Sequence, residues 1–304
     1  MTQEATAAAG ATAPAAGALQ EDEGLLRSAD GTGLWVRRVR PAGPSKGRLA
    51  FVHGFAEHGG RYAETLRWFA ARGWQASAVD LRGHGRSGGR RTFVRRFDEY
   101  QDDVEAFLRD AAGRPGEAAP GPLVLLGHSM GGLVVARTLE DRLARLPALA
   151  GAVLASPFLG VKMQLPAWKV GAARLLSRWL PFFRMPTDLD PDGLSRDPAV
   201  GRAYVADPLV SQTATARWYT ETVAAQARAL ADAARLELPL LVWHGDGDPI
   251  VDGTVTERFV ARAPGAGGRL HRWPGARHEV WNETNRDEVR AFALAWLEGL
   301  TARA

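Results

Sequence analysis

The sequence predicts an α/β fold built on a largely parallel sheet. Short β-type runs bounded by Gly, Pro and Asp alternate with helix-period segments, and one interval of about eighty residues breaks the alternation. Hydrophobic residues at 46% and charged residues at 24% supply enough apolar surface for a sizeable core, which excludes a collagen, a coiled coil or a disordered polymer.

In chain order, residues 1–22 begin MTQEATAAAGATAPAAGALQ, a low-complexity stretch that reads as a disordered tail. It lacks the positive n-region and apolar core of a secretory signal. Strands are expected over 34–39 and 48–53, then a helix over 61–72 that stops at Gly73, then a strand over 75–79. The Gly-rich stretch Asp80 to Gly89 lacks the following Lys-Ser/Thr of a phosphate-binding loop, and no nucleotide site is expected there. A helix over 97–110, a strand over 123–126, a helix over 130–143 and a strand over 152–155 follow. From 157 to 235 there is no clear strand, and prolines stand at 157, 166, 181, 186, 191, 198 and 208. Strands over 240–243 and 270–272 and a helix over 285–300 complete the chain.

Ligands of open α/β sheets bind at the carboxyl ends of the strands, so an insertion after the 152–155 strand is expected to sit over that edge as a cap. The expected division is a tail (1–22), a core (23–156 and 236–304) and a helical cap (157–235).

Thirty-eight Lys and Arg against 34 Asp and Glu leave a net charge of +4. The basic residues are scattered, without the dense run or interleaved aromatics of a nucleic-acid surface, so no nucleic-acid partner is expected. The chain has no cysteine, which rules out disulfides and thiolate metal sites. The longest apolar run, 148–159, is short for a membrane span and contains Pro157. These features suit a cytoplasmic protein.

The chemistry concentrates at Gly127-His128-Ser129-Met130-Gly131, a G-x-S-x-G pattern lying between an apolar strand run and a helical run. Strand, sharp turn and helix is the context in which such a serine is pushed out at the sheet edge, at a helix N-terminus that favours developing negative charge. A serine hydroxyl needs a base to take its proton and a carboxylate to hold that base's tautomer. On such a sheet they follow in the order Ser, Asp or Glu, His. Only His271 and His278 follow the Asp cluster after the 240–243 strand, and His271 falls inside a predicted strand, so His278 is the expected base. Among Asp246, Asp248 and Asp252, the preferred orienting residue is Asp248, in a Gly/Pro-shaped turn past the strand end, with Asp246 next. Turn chemistry or helix capping is the expected role of the other two.

Two N–H donors are needed for the oxyanion, one after the nucleophile and one after an earlier strand. Those are the backbones of Met130 and Phe55; the Phe55 ring is expected to narrow the pocket mouth. His53, His58, His84, His128 and His244 all neighbour glycine turns and show no metal-ligand spacing, so no metal site is expected.

At this point the chain resembles the serine α/β-hydrolases, and within them the monoacylglycerol lipase and lysophospholipase-like family, also called serine aminopeptidase S33 or Hydrolase_4. The resemblance runs from about Leu34 to the final helix. It is carried by HGFAEHGGRY (53–62), DLRGHGRSGG (80–89), GHSMGG (127–132), LSRDPAV (194–200), YVADPL (204–209) and WPGARHEVWNE (273–283). It implies the α/β-hydrolase fold, with helices on both sheet faces and an inserted cap, and hydrolysis of an ester with one acyl chain and no cofactor. Ser129, Asp248 and His278 fall on the family's triad positions, and Phe55 and Met130 on its oxyanion positions. A small residue is frequent in the family where Phe55 stands.

Glu57 and Arg61 match residues that lie near the alcohol end of the substrate or brace that region, and both roles are carried forward. Segments 165–170 and 175–183 of the cap are apolar, aromatic and basic, which suits an acyl tunnel, shallow contact with a membrane surface, or cap packing. Trp218 and Tyr219 are expected to close the other side of that pocket. The implied substrate is a small amphiphilic ester, most simply a monoacylglycerol; lysophospholipase and short-chain carboxylesterase are the rivals on the same triad. A non-catalytic ligand-binding relative would be expected to lose a triad residue, and all three are present.

Overall fold

The computed structural model describes residues 18–113, 121–162, 166–187 and 189–301. The expected tail up to residue 17 lies outside them. The strands are β1 (Gln20–Arg27), β2 (Gly33–Arg40), β3 (Gly47–Val52), β4 (Trp74–Val79), β5 (Leu123–His128), β6 (Gly151–Ala155), β7 (Arg184–Pro186), β8 (Thr213–Thr215), β9 (Leu240–Gly245) and β10 (Leu270–Trp273). The helices are α1 (Ala63–Ala70), α2 (Asp98–Ala111), α3 (Met130–Arg142), α4 (Ala167–Trp179), α5 (Pro198–Ala206), α6 (Ala216–Asp232), α7 (Gly253–Val260) and α8 (Arg286–Thr301).

Eight strands form one sheet in the order β1-β2-β4-β3-β5-β6-β9-β10. All pairs from β4 to β10 are parallel, while β1-β2 and β2-β4 are antiparallel. The central strands are buried on both faces, and their side chains alternate between two cores. Ala50, Val52, Leu123 and Leu125 pack with α2, α3, α6 and α7. Leu49, Phe51, Val124 and Leu126 pack with α1 and α8 on the other face. Each such Val, Leu or Phe contributes about 1.5–3 kcal/mol by leaving water.

Outside the 157–235 interval, two of these helices and strands are absent from the sequence prediction. One is α7, a two-turn helix capped by Asp252, whose side chain accepts from the Thr254 N–H at 2.9 Å. The other is β1, which takes residues 20–22 out of the expected tail. Its sequence, QEDEGLLR, is too acidic to read as a strand. It forms because its neighbour β2 is basic: Asp22 pairs with Arg38 at 3.1 Å and Glu23 with Arg37, while Glu21 reaches Arg67 on α1 at 2.6 Å.

The 157–235 interval holds α4, α5 and α6, and also the short antiparallel β7-β8 pair, which the sequence reading did not place. Its last helix, α6, lies inside the expected cap limits but packs partly with the core. Ala225 and Ala229 of α6 lie in the main core, and Arg137 of α3 binds Asp232 at 2.9 Å. The N-terminal half of α6 instead reaches the loops at the carboxyl ends of β3 and β5.

Those loops approach with no room to spare. A Cβ on Gly131 would lie 2.3 Å from the Val52 carbonyl oxygen and 2.4 Å from that of His53. Both are backbone atoms of β3 and the turn after it, so neither can yield cheaply. Gly131→Ala is expected to destabilise the fold by about 1–3 kcal/mol, read as a lower urea midpoint; an unchanged midpoint would contradict this packing.

Candidate active site

The turn from β5 into α3 holds Ser129 at φ 51° and ψ −119°, a conformation that costs a non-glycine residue about 1–3 kcal/mol. Three backbone hydrogen bonds hold it there. The Ser129 N–H donates to the Ala155 carbonyl at 3.0 Å, and its own carbonyl accepts from Phe158 at 2.9 Å and Leu133 at 3.2 Å. The last of these opens α3, leaving the Met130 N–H in the helix's unpaired first turn.

His278 and Asp248 converge on this serine from two strand ends. The Ser129 hydroxyl donates to His278 Nε2 at 2.9 Å, and His278 Nδ1–H donates to Asp248 Oδ2 at 2.7 Å. Asp248 is fully buried, and its other oxygen accepts from the N–H groups of Ile250 at 2.8 Å and Val251 at 3.1 Å. Burial pushes its carboxyl up, but the charge and hydrogen bond of His278, with His244 nearby, outweigh that and bring it to about 2. Burial pulls His278 down; Asp248, Glu279 and Glu57 more than offset this, and its pKa lies above the ordinary histidine value of 6.5. Adjacent His128 is held near 3 by burial and by His278 itself, so His278 is the ring of the two that takes up charge.

The other expected candidates find bland roles. Asp246 accepts from the Gly275 N–H in a turn, Asp252 caps α7, and His271 stacks on Phe292 with ring centroids 4.2 Å apart. His53 receives the Leu81 N–H on Nε2 at 3.0 Å, so its Nδ1 carries the proton toward the Gly54 carbonyl at 2.6 Å.

The loop after β3 carries Phe55. Among the described residues neither its N–H nor that of Met130 has an acceptor. Glu57 and Arg61 hold this loop rather than face solvent. Glu57 Oε1 accepts from the Gly54 N–H at 2.6 Å and the Tyr62 hydroxyl at 2.7 Å, while its Oε2 pairs with Arg61. Arg61 then reaches Glu279 with two bonds, at 2.6 and 2.8 Å. All three side chains are buried, and their bonds brace the loop after β3 against the His278 loop. Burial raises the Glu57 carboxyl, whereas Arg61 holds Glu279 ionised against its own burial.

Sequence reasoning passed over Glu279, which joins the oxyanion-type loop to the His278 loop, and His244, whose Nε2 lies 3.5 Å from Asp248 Oδ2. A carboxylate next to the expected base was the available signal for Glu279. Its arginine partner, 218 positions away, gave none. Trp218 is 6% exposed, with its indole N–H donating to Met130 Sδ at 3.3 Å.

The serine aminopeptidase S33 family profile matches residues 43–285. The chain belongs to that family. Its fold is the α/β-hydrolase fold. A monoacylglycerol lipase of Mycolicibacterium smegmatis is 33% identical over 87% of this chain and 91% of its own length. Phospholipase YtpA of Bacillus subtilis is 30% identical over 82% of this chain and 94% of its own. The crystal structure of a Paleococcus ferrophilus monoacylglycerol lipase superposes with a TM-score of 0.77 at 27% identity, covering 89% of this chain and 99% of that one. Among the described residues of this family member, no group of His, Asp and Glu is placed to hold a metal ion. No described helix is long and apolar enough to cross a membrane.

Two outcomes follow from the charges. If neutral His278 is required, kcat/KM falls as pH drops through an apparent pKa above 6.5; a midpoint at or below 6.5 in the pH-rate profile would refute the raised value. Arg61→Ala leaves two buried carboxylates uncompensated and is expected to cost about 3–5 kcal/mol of stability by urea denaturation. A cost under about 1 kcal/mol, as for a surface pair, would contradict the bracing role.

Proposed function

We propose that this chain is a serine hydrolase of carboxylic esters of single-chain lipids, monoacylglycerols foremost. One observation carries the reading: the hydrogen-bonded series Ser129, His278 and Asp248 lies beside two unpaired backbone N–H groups. The names of the relatives supply the substrate class.

In this mechanism His278 takes the Ser129 proton as Oγ attacks the ester carbonyl. The negative oxygen of the tetrahedral intermediate accepts from the Phe55 and Met130 N–H groups. As the C–O bond to the alcohol breaks, His278 passes its proton to the departing oxygen, leaving an acyl-serine. Water then gives a proton to His278 and its oxygen to the acyl carbon. The fatty acid departs as the proton returns to Ser129. Asp248 holds the imidazole tautomer throughout.

The 157–235 interval acts as the cap over this site. On its outer side α4 and the following turn expose Leu175, Trp179, Leu180, Phe182 and Phe183 beside Arg174 and Arg178, a surface suited to shallow contact with a membrane. Phosphatidylglycerol-containing liposomes are expected to co-sediment the wild type and release the Trp179→Ala, Phe182→Ala double variant; equal sedimentation would remove the membrane role.

The test of function is fatty-acid release from matched 1-monoacylglycerol and lysophosphatidylcholine series, with a short-chain ester alongside. The expected result is turnover of monoacylglycerols that falls by about 10⁴-fold or more in Ser129→Ala. Release from the lysophospholipid series alone would favour a lysophospholipase. Activity retained in Ser129→Ala would overturn the assignment.

A further inference from the structure

The side chains above the two N–H groups are packed against each other. The Phe55 ring lies face to face with the Trp218 indole, centroids 3.6 Å apart and planes 25° from parallel. The edge of His84 closes on Phe55 from another side at 5.8 Å. Trp218 thus touches both residues whose backbones would hold an oxyanion, Phe55 by stacking and Met130 through its sulfur. Ser129 beneath is only 7% exposed and His278 4%.

The indole is carried on backbone that is anchored from both directions. Thr215 caps α6 by accepting from the Trp218 N–H at 3.3 Å, and its hydroxyl donates to the Thr92 carbonyl at 2.7 Å. Farther along, Ala225, Ala229 and Asp232 fasten the same helix to the core. The stack is therefore a wall set by the fold; a free lid would lack these anchors.

Chemistry decides which part of the substrate meets that wall. The departing alcohol oxygen has to face His278, which provides its proton. His278 arrives from the β9-β10 side of β5, whereas Phe55 follows β3 on the opposite side. With the carbonyl oxygen held at the two N–H groups, the acyl chain is left on the side away from His278, where the Phe55 and Trp218 rings stand. A flat, doubly anchored aromatic pair at that point shortens the space available to it.

We propose that the acyl chain runs against the Phe55–Trp218 stack, which makes the stack the chain-length determinant of this enzyme and favours acyl groups shorter than dodecanoyl. The inference rests on the ester-hydrolase reading above and names the acyl class which that site accepts.

The test compares kcat/KM for 4-nitrophenyl butanoate and dodecanoate in the wild type, Trp218→Ala, Phe55→Ala and Trp218→Phe. A second series varies the alcohol at a fixed butanoyl group. The wild type is expected to prefer butanoate. Both alanine variants should raise the dodecanoate-to-butanoate ratio by tenfold or more, and Trp218→Phe, which keeps a flat ring on Phe55, should stay within about threefold of the wild type. Should one alanine variant fail to fold, the other carries the same expectation from the opposite half of the stack. The ratio cancels any general loss of oxyanion stabilisation, since both substrates need the same N–H groups. A ratio within twofold of wild type, in variants whose Ser129 still reacts with a fluorophosphonate, overturns the proposal. So does a change confined to the alcohol series. A wild type that cleaves no ester and leaves Ser129 unlabelled overturns instead the reading of the site on which the proposal rests.

Discussion

A backbone reversal at Ser129 is the constraint around which the other parts are arranged. A non-glycine residue at φ 51° persists only where its surroundings over-determine it. Here the neighbouring strand β6, the segment after it and the first turn of α3 each supply a hydrogen bond. The glycines on either side serve the same end. Gly127 lies against the Gly131 carbonyl, and Gly131 against those of Val52 and His53, so α3 starts close enough to β3 for the loops after both strands to share one space. The Ser129 hydroxyl and two N–H groups without an acceptor among the described residues are neighbours because of that approach.

Around this point the protein holds its loops with buried charge. Arg61 bridges Glu57, which grips the Gly54 N–H, and Glu279, which follows His278 directly. The His278 loop is also tied to the insertion: the Glu279 N–H donates to the Leu194 carbonyl at 2.7 Å, and Arg196 binds Glu283 at 3.0 Å. Buried ion pairs are weak contributors to net stability once desolvation is counted. Their gain here is geometric, because bidentate bonds fix the relative position of two loops to within the length of a hydrogen bond.

The insertion is coupled to the same loops. Asp207 holds His58 at 2.8 Å, the Tyr204 ring lies under the Arg61 guanidinium, and the Ser211 N–H reaches the Ala56 carbonyl at 2.8 Å. Helix α6 therefore has two roles along one axis: an apolar alanine face that belongs to the core, and an N-terminal turn that brings Trp218 over Phe55 and Met130. A boundary drawn from the absence of strands could not separate them, since both halves are helical.

Much was legible in the linear pattern. Apolar strand runs followed by helical periodicity predicted seven strands of the central sheet; for β3 to β6 and β9 the reason is that parallel strands buried on both faces are largely apolar. The serine turn, the aspartate and the histidine could be chosen from residue type, chain order and position at strand ends, since such chemistry tolerates few residue types there. What escaped was whatever depends on a distant partner. β1 exists because β2 offers its acidic residues arginines. That Glu57 and Arg61 are tied into one buried ion-pair network depends on Glu279, far along the chain. Phe55 stacks on Trp218, and two aromatic residues 163 positions apart carry no sign in sequence that their faces will meet. Residue type and local spacing determine which groups are able to react; only the tertiary packing decides what stands beside them.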